Sequence, residues 1–172
     1  MFSQIRKSFG RLDVLLNSAA INPLSLAMLL PSDEANRCMQ VNFFGTFLLS
    51  REAAKLMNRK SFGRIINFAS MAVRHEVVGE SLYTASKAAV IAFSRTFSKE
   101  IYRLGITCNV IAPAAIKTDA SEEVDSKALS EVLQRNAIPT FGDMEDVSNT
   151  VDWILKPESH AITGQVIYLG GV

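Results

Sequence analysis

Tyr83 and Lys87 stand four residues apart, and Ser70 precedes the tyrosine by thirteen. Positions i and i+4 of a helix share one face a turn apart, so helical backbone over 83–87 makes the phenol and the ammonium neighbours. Tyrosine titrates near ~10 and alone is a poor base at neutral pH. An ammonium about 4 Å away stabilises the phenolate by ~4 kcal/mol at an effective dielectric of ~20, which lowers the pKa by roughly three. The positive end of a helix acts in the same direction. A tyrosine held in this way exchanges a proton with an alcohol or ketone near pH 7. Ser70 can hydrogen-bond the same oxygen. The triplet alone is also compatible with a surface Tyr–Lys pair near a loop serine, so its neighbours must decide.

The elements that position these residues alternate between strand and helix. Phe2, Ile5 and Phe9 recur at helical spacing, and Gly10 stops that helix. Leu12 to Leu16 reads as a short strand, apolar as for one covered on both faces. Asn22-Pro23 opens a loop, and Ser32 or Asp33 can cap a long helix to about Arg59, bent near Gly45. Arg64 to Ala69 is a second strand. Tyr83 to Leu104 is a helix that ends at Gly105, and Ile106 to Ala112 is a third strand closed by Pro113. The helical pattern is weak from Ser126 onward. Asp143 caps a helix through Leu155, and Gln165 to Leu169 is the last strand. Strands joined by helical crossovers imply an α/β fold with a four-stranded parallel sheet, part of an open doubly wound architecture. Such sheets bind ligands at the carboxyl ends of their strands, where Asn17, Ser70 and Thr118 collect.

Composition narrows the function classes. The 172 residues make one domain, 48% apolar and 20% charged, with a formal net charge of +1. That balance, with no basic stripe, gives no electrostatic reason for nucleic acid or an anionic membrane as partner. Two separated cysteines and two isolated histidines argue against a metal site and for a reducing compartment. The amino terminus lacks a signal-like apolar run, and no apolar stretch approaches the ~20 residues of a membrane span. A cytoplasmic, soluble protein is expected. His75 and His160 read as solvated, and Phe93 and Phe97 as helical core.

Gly63-Arg-Ile-Ile-Asn-Phe-Ala-Ser70, Tyr83-Thr-Ala-Ser-Lys87 and Asn109-Val-Ile-Ala-Pro113, in this order, resemble the short-chain dehydrogenase/reductase family, in particular its 3-oxoacyl-[acyl-carrier-protein] reductase-like members. The likeness runs from Gly10-Arg-Leu-Asp-Val-Leu-Leu-Asn17 to Thr163-Gly-Gln-Val-Ile167. It implies a partial Rossmann fold and hydride transfer between NAD or NADP and a small-molecule carbonyl or alcohol, with a 3-oxoacyl thioester as the substrate suggested. Ser70 would orient the carbonyl, Tyr83 would be the acid/base, and Lys87 would lower its pKa and bind the nicotinamide ribose. Asn42, in Val-Asn-Phe-Phe-Gly, would help hold a relay water. Asn17 and Ala19, in Asn-Ser-Ala-Ala, would line the adenosine side of the cofactor. Pro113, Ile116 and Thr118 would meet its carboxamide. Ser18, Ala20 and Ala114 depart from the family pattern, and Ala20 and Ala114 stand where it has glycine, so each places a Cβ at a point of close approach. The segment 119–140 would be the substrate lid, and the helices over 33–59 and 83–104 an oligomer interface.

No Thr-Gly-x-x-x-Gly-x-Gly motif occurs in the sequence. The resemblance therefore implies that residues 1–172 form a single incomplete catalytic domain, corresponding to the carboxyl-terminal four strands of the family and lacking its pyrophosphate cradle and its NAD/NADP selector. Strand 12–16 is then expected as an exposed apolar edge, with marginal stability, very weak cofactor binding and no catalytic activity by this chain alone. The alternative reading is a truncated, non-catalytic homologue that associates with full-length relatives.

Overall fold

The computed structural model describes residues 1–116 and 126–171. Four strands, β1 (Val14–Asn17), β2 (Gly63–Phe68), β3 (Ile106–Ala112) and β4 (Val166–Tyr168), form one parallel sheet in the order β1-β2-β3-β4. The expected sheet is present, with boundaries shifted by a residue or two at β1, β2 and β4. The register aligns Val14, Arg64 and Thr107 in one row and Asn17, Asn67 and Val110 in another.

Helices cover both faces. α1 (Phe2–Phe9), α3 (Thr46–Met57) and α5 (Ser81–Ile101) lie on one side, where Ala53, Ala54, Met57, Phe97 and Ile101 close over Ile65, Ile106 and Cys108. α7 (Met144–Leu155) covers the other through Ile154 and Val151 on Ile66 and Ile111. Alternation along β2 decides which side chain meets which layer, Ile65 and Asn67 facing α5 while Arg64 and Ile66 face α7. Two shorter helices, α4 (Ala72–His75) and α6 (Ser126–Leu133), flank the carboxyl end of the sheet.

The long helix before β2 departs from the expected form. α2 (Ser32–Met39) starts after Pro31 without a side-chain cap, so neither Ser32 nor Asp33 plays the expected role. Between α2 and α3 the backbone widens into a π-helical segment, Gln40–Gly45. Gly45, near which the bend was expected, is the last residue of this irregular segment. The stop after α5 is as read: Gly105 takes φ 73° and is pressed against the Ser61 carbonyl, where any Cβ would collide. Asp143 and Asp146 form a capping box at the start of α7.

The β1 edge leaves Val14 36% and Leu16 46% exposed. β1 pairs on one side only, so the apolar edge expected from the sequence is present.

Candidate active site

The carboxyl ends of β2 and β3 gather the chemistry. β2 ends at Phe68, and two residues later Ser70 accepts a hydrogen bond from the Ala72 N–H at 3.1 Å, which fixes its hydroxyl at the start of α4. Tyr83 and Lys87 occupy the first two turns of α5, as the spacing requires. The Ser70 hydroxyl is near enough to the Tyr83 phenol to pull its pKa down. Lys87 is buried, and its Nζ donates to the Phe68 carbonyl at 2.9 Å. The three residues singled out by type and spacing therefore meet in one place.

Their electrostatics differ from the sequence expectation. Lys87 lies over the ring face of Tyr83, with Nζ 5.7 Å from the centroid, rather than against its oxygen. Burial pushes the Tyr83 phenol above its ordinary value, against the smaller pull of Ser70, with Glu80 and Cys38 adding to the rise. Burial also lowers the Lys87 ammonium to about 8. The predicted fall of roughly three in the tyrosine pKa is not present in this arrangement. Desolvation outweighs the pull of Ser70, and burial of the phenol favours its protonated form.

Asn42 is buried in the π-helical segment, and its amide is fully engaged. Its Oδ1 accepts from Ile21 N–H at 2.8 Å, while Nδ2 donates to the Ile21 carbonyl at 2.9 Å and to Ser86 Oγ at 3.0 Å. The Asn42 carbonyl accepts from Thr46 Oγ1 at 3.0 Å. The side chain thus ties the loop leaving β1 to the first turns of α5. Cys38 joins the same group, with Sγ 3.4 Å from Asn42 Nδ2.

Asn17 points away from the rim. Its Nδ2 donates to Asn67 Oδ1 at 2.8 Å and Ser50 Oγ at 3.0 Å, and Asn67 continues to Ser94 Oγ at 2.9 Å. This buried ladder joins β1, β2, α3 and α5. Only the backbone around Asn17, with the exposed Ala19, is placed at the rim. Pro113 and Ile116 follow β3 and line a cavity of about 590 Å³ with Gly142, Val147 and Gly170, on the α7 side and without Ser70, Tyr83 or Lys87. The perturbed titratable groups converge at the latter three and not at this cavity. Thr118 lies outside the described residues, as does the first part of the 119–140 segment.

The sequence reading missed His75. It is half-buried at the end of α4, with Nε2 2.7 Å from Asn136 Oδ1, while Arg135 Nη1 donates to its carbonyl at 2.6 Å. These bonds fasten the Ser70 loop to the segment after α6. The helical turn 72–75 was the available signal, hidden by its shortness. Among the described residues no group of His, Cys, Asp or Glu could hold a metal ion.

A parallel sheet covered by helices on both faces, with polar groups gathered at the carboxyl ends of its strands, defines a Rossmann-type domain. The family model described as enoyl-(acyl carrier protein) reductase matches residues 1–171. The chain is 34% identical over 161 residues to the 3-oxoacyl-[acyl-carrier-protein] reductase FabG of Rickettsia felis, covering 94% of this chain and 67% of that one. It is 32% identical over 171 residues to FabG of Haemophilus influenzae, covering 99% and 71%. With the short-chain reductase protein NovJ of Streptomyces niveus it shares 33% over 172 residues, covering 96% and 65%. The crystal structure of NAD+-bound xylitol dehydrogenase matches its fold with a TM-score of 0.90 at 24% identity, over 99% of this chain and 72% of that one. The chain belongs to the short-chain dehydrogenase/reductase family, with 3-oxoacyl-[acyl-carrier-protein] reductases among its relatives. It spans about two thirds of their length.

Proposed function

We propose that this chain carries the acid/base half of a nicotinamide-dependent carbonyl reductase or alcohol dehydrogenase. The observation that carries the reading is the convergence of Ser70, Tyr83 and Lys87 at the end of β2, where burial favours the protonated phenol. In reduction, the Ser70 hydroxyl donates to the substrate carbonyl oxygen and orients it. Tyr83 gives its phenolic proton to that oxygen as negative charge develops. The Lys87 ammonium, under the ring, stabilises the phenolate that remains.

The residues present fit the nicotinamide end of the cofactor. Lys87 offers an ammonium with one protein acceptor, Phe68 O, beside the tyrosine, and Pro113 and Ile116 carry backbone groups at the end of β3. When bound, the nicotinamide supplies or accepts the hydride. Asn17 and Ala19 are proposed to border the adenosine side through backbone atoms, Thr118 to meet the carboxamide, and Asn42 to support the proton path by fixing the Ile21 loop. Either NAD or NADP suits these residues. The sequence carries no glycine-rich turn for the phosphates, so cofactor binding by these residues alone is expected to be weaker than micromolar.

A 3-oxoacyl thioester is the proposed substrate, on the likeness to reductases of that name. Homo-oligomer formation is proposed through the helical surface over 33–59 and 83–104, where Phe44 and Leu48 are exposed. A cytoplasmic site of action accords with two free, buried thiols. Among the described residues, no helix is long and apolar enough to cross a membrane.

The test is an assay of acetoacetyl-CoA reduction with NADH and NADPH. The expected result, with NADH or NADPH far above the micromolar range to offset the weak cofactor binding, is slow turnover that Tyr83→Phe removes without changing the thermal midpoint. Turnover unaffected by Tyr83→Phe would overturn the assignment.

A further inference from the structure

A carboxylate stands one turn before Tyr83. Glu80 is the N-cap residue of α5, three positions before the tyrosine and seven before Lys87. Positions i, i+3 and i+7 share one helix face, so a carboxylate and an ammonium bracket the phenol from successive turns. The Glu80 side chain does not cap the helix. Its Oε1 instead accepts from Asn22 Nδ2 at 2.7 Å, in the loop that follows β1. The backbone joins the same two segments, with the Ser25 N–H donating to the Gly79 carbonyl at 2.9 Å. Glu80 itself is fixed on both sides. Its N–H donates to the Val77 carbonyl at 3.1 Å, and its carbonyl accepts from the Thr84 N–H at 2.7 Å.

A negative charge at a helix N-terminus stabilises the helix, and that is the plainest role for Glu80. A helix-stabilising charge has no need of Asn22, which holds this carboxylate against a different part of the chain. The groups that face Tyr83 among the described residues come from three elements. Ser70 reaches it from the loop after β2, Cys38 from α2, and Glu80 and Lys87 from α5. Ser70 favours the phenolate, whereas Glu80 and the buried Cys38 thiol oppose it. Lys87 meets the ring face and not the oxygen. Glu80 brings the one carboxylate of this set, and its charge also offsets the positive end of α5. Glu80 is only half-buried. Without Asn22 its head group can turn to water, where the high dielectric weakens its field at the phenol.

We propose that Asn22 and Glu80 are positioning residues for Tyr83, through which the loop after β1 fixes a negative charge beside the phenol. The inference rests on the reading of Tyr83 as the proton donor. It makes the loop a regulator of that donor, because any displacement that parts Asn22 from Glu80 releases the carboxylate and eases loss of the proton. The coupling is measured without turnover. The 172-residue chain is produced with 3,5-difluorotyrosine, whose phenol titrates well below that of tyrosine, and 19F NMR follows each ring with pH. Tyr83→Phe assigns the resonance, and Tyr102 and Tyr168 serve as internal controls.

Glu80→Gln keeps an acceptor for Asn22 and removes the charge, so the expected result is a downward shift of the Tyr83 midpoint with the two controls unmoved. Asn22→Ala should shift it in the same direction, and should add nothing when combined with Glu80→Gln. A helix-stabilising role alone would move thermal midpoints and leave the Tyr83 titration where it was. A Tyr83 midpoint unmoved by Glu80→Gln therefore overturns the proposal. So does an Asn22→Ala shift that persists undiminished in the Glu80→Gln chain, since that assigns the effect to water entering beside the ring. Asn22 is exposed. Its variant stays readable even if Glu80→Gln fails to fold, and an unmoved midpoint there also overturns the proposal. Turnover unaffected by Tyr83→Phe would remove the donor role but leave these titrations standing, so the two failures are told apart.

Discussion

β2 has a buried cation at each end, Lys87 against the Phe68 carbonyl and Arg64 beside Gly63. Burial lowers the pKa of both, and nothing acidic offsets it at Arg64. The outcomes diverge because the side chains differ. A lysine brought to about 8 exchanges its proton within reach of physiological pH, so desolvation makes it an adjustable charge beside Tyr83. An arginine stays charged at any such depth and can only acquire a partner. Depth of burial alone therefore does not mark a reactive site. What supports the role proposed for the carboxyl end is the convergence there of a phenol, a hydroxyl and a titratable ammonium.

The strongest way to break this comparison is Tyr83→Phe. Removing the proton donor should lower the reduction rate by ~10²–10⁴-fold while leaving the Lys87–Phe68 bond in place. Steady-state rates alongside thermal midpoints check both halves of that statement. A variant with an intact rate would reduce the carboxyl end to another buried cation, no different in kind from the amino end.

Next in size is Ile66→Ala, midway between the two ends. Ile66 is fully buried and packs with Ile111 and Ile154. Its truncation should cost about 2–5 kcal/mol in urea unfolding. For a small domain with a one-sided edge strand, that is a large part of the total stability.

Lys87→Met sharpens the comparison through pH. The folded-state pKa of about 8 lies below the ordinary 10.5. Below pH 8 both folded and unfolded chains hold the proton, and the folded state bears the full desolvation cost. Between about 8 and 10.5 the unfolded chain binds more protons, so stability rises with pH through that window. The difference corresponds to roughly 3 kcal/mol at most, and the lost bond to Phe68 O offsets about 1. Lys87→Met should therefore stabilise the chain at pH 7 by about 2 kcal/mol and flatten its stability between pH 8 and 10.5, as read by urea midpoints. The same pKa predicts that reduction by the unsubstituted site is level below pH 8 and declines above it, as Lys87 loses its charge. A rate that rises through this range would sink the role given to the ammonium.

How far the sequence revealed these features depends on the range of the interactions behind them. Tyr83 and Lys87 were legible because their meeting is a property of one helix, and β3 was legible because a short, mostly apolar segment bounded by Gly105 and Pro113 has few alternatives. The direction of the Tyr83 pKa was not legible. Spacing gives the proximity of Lys87 but not whether it meets the phenol oxygen or the ring face, nor how deeply the pair is buried. Asn17, Ser50, Asn67 and Ser94 come from four elements, and only folding aligns their amides and hydroxyls into one ladder. The π-helical segment was hidden likewise, because Asn42 bonds to Ile21 across the chain as well as to Cys38 one turn away. His75 looked like a loop residue because its partner, Asn136, lies 61 positions away.

The smallest expected effect concerns the edge beside Arg64. Leu16 is nearly half exposed on a strand with one free side, and Val14 lies two residues away on the same face. Exposed apolar edges pair with other chains, and a lysine on such an edge opposes that pairing. Because Leu16 packs only partly, Leu16→Lys should move the unfolding free energy by no more than about 0.5 kcal/mol. Its effect should appear in self-association instead, with less light scattering as protein concentration rises. A large loss of stability would mean that Leu16 is more tightly packed in solution than its exposure implies. Unchanged scattering would move the source of association from the β1 edge to the helical surface around Phe44 and Leu48. The edge and the helices are thus separated by one substitution that leaves Arg64, Tyr83 and Lys87 untouched.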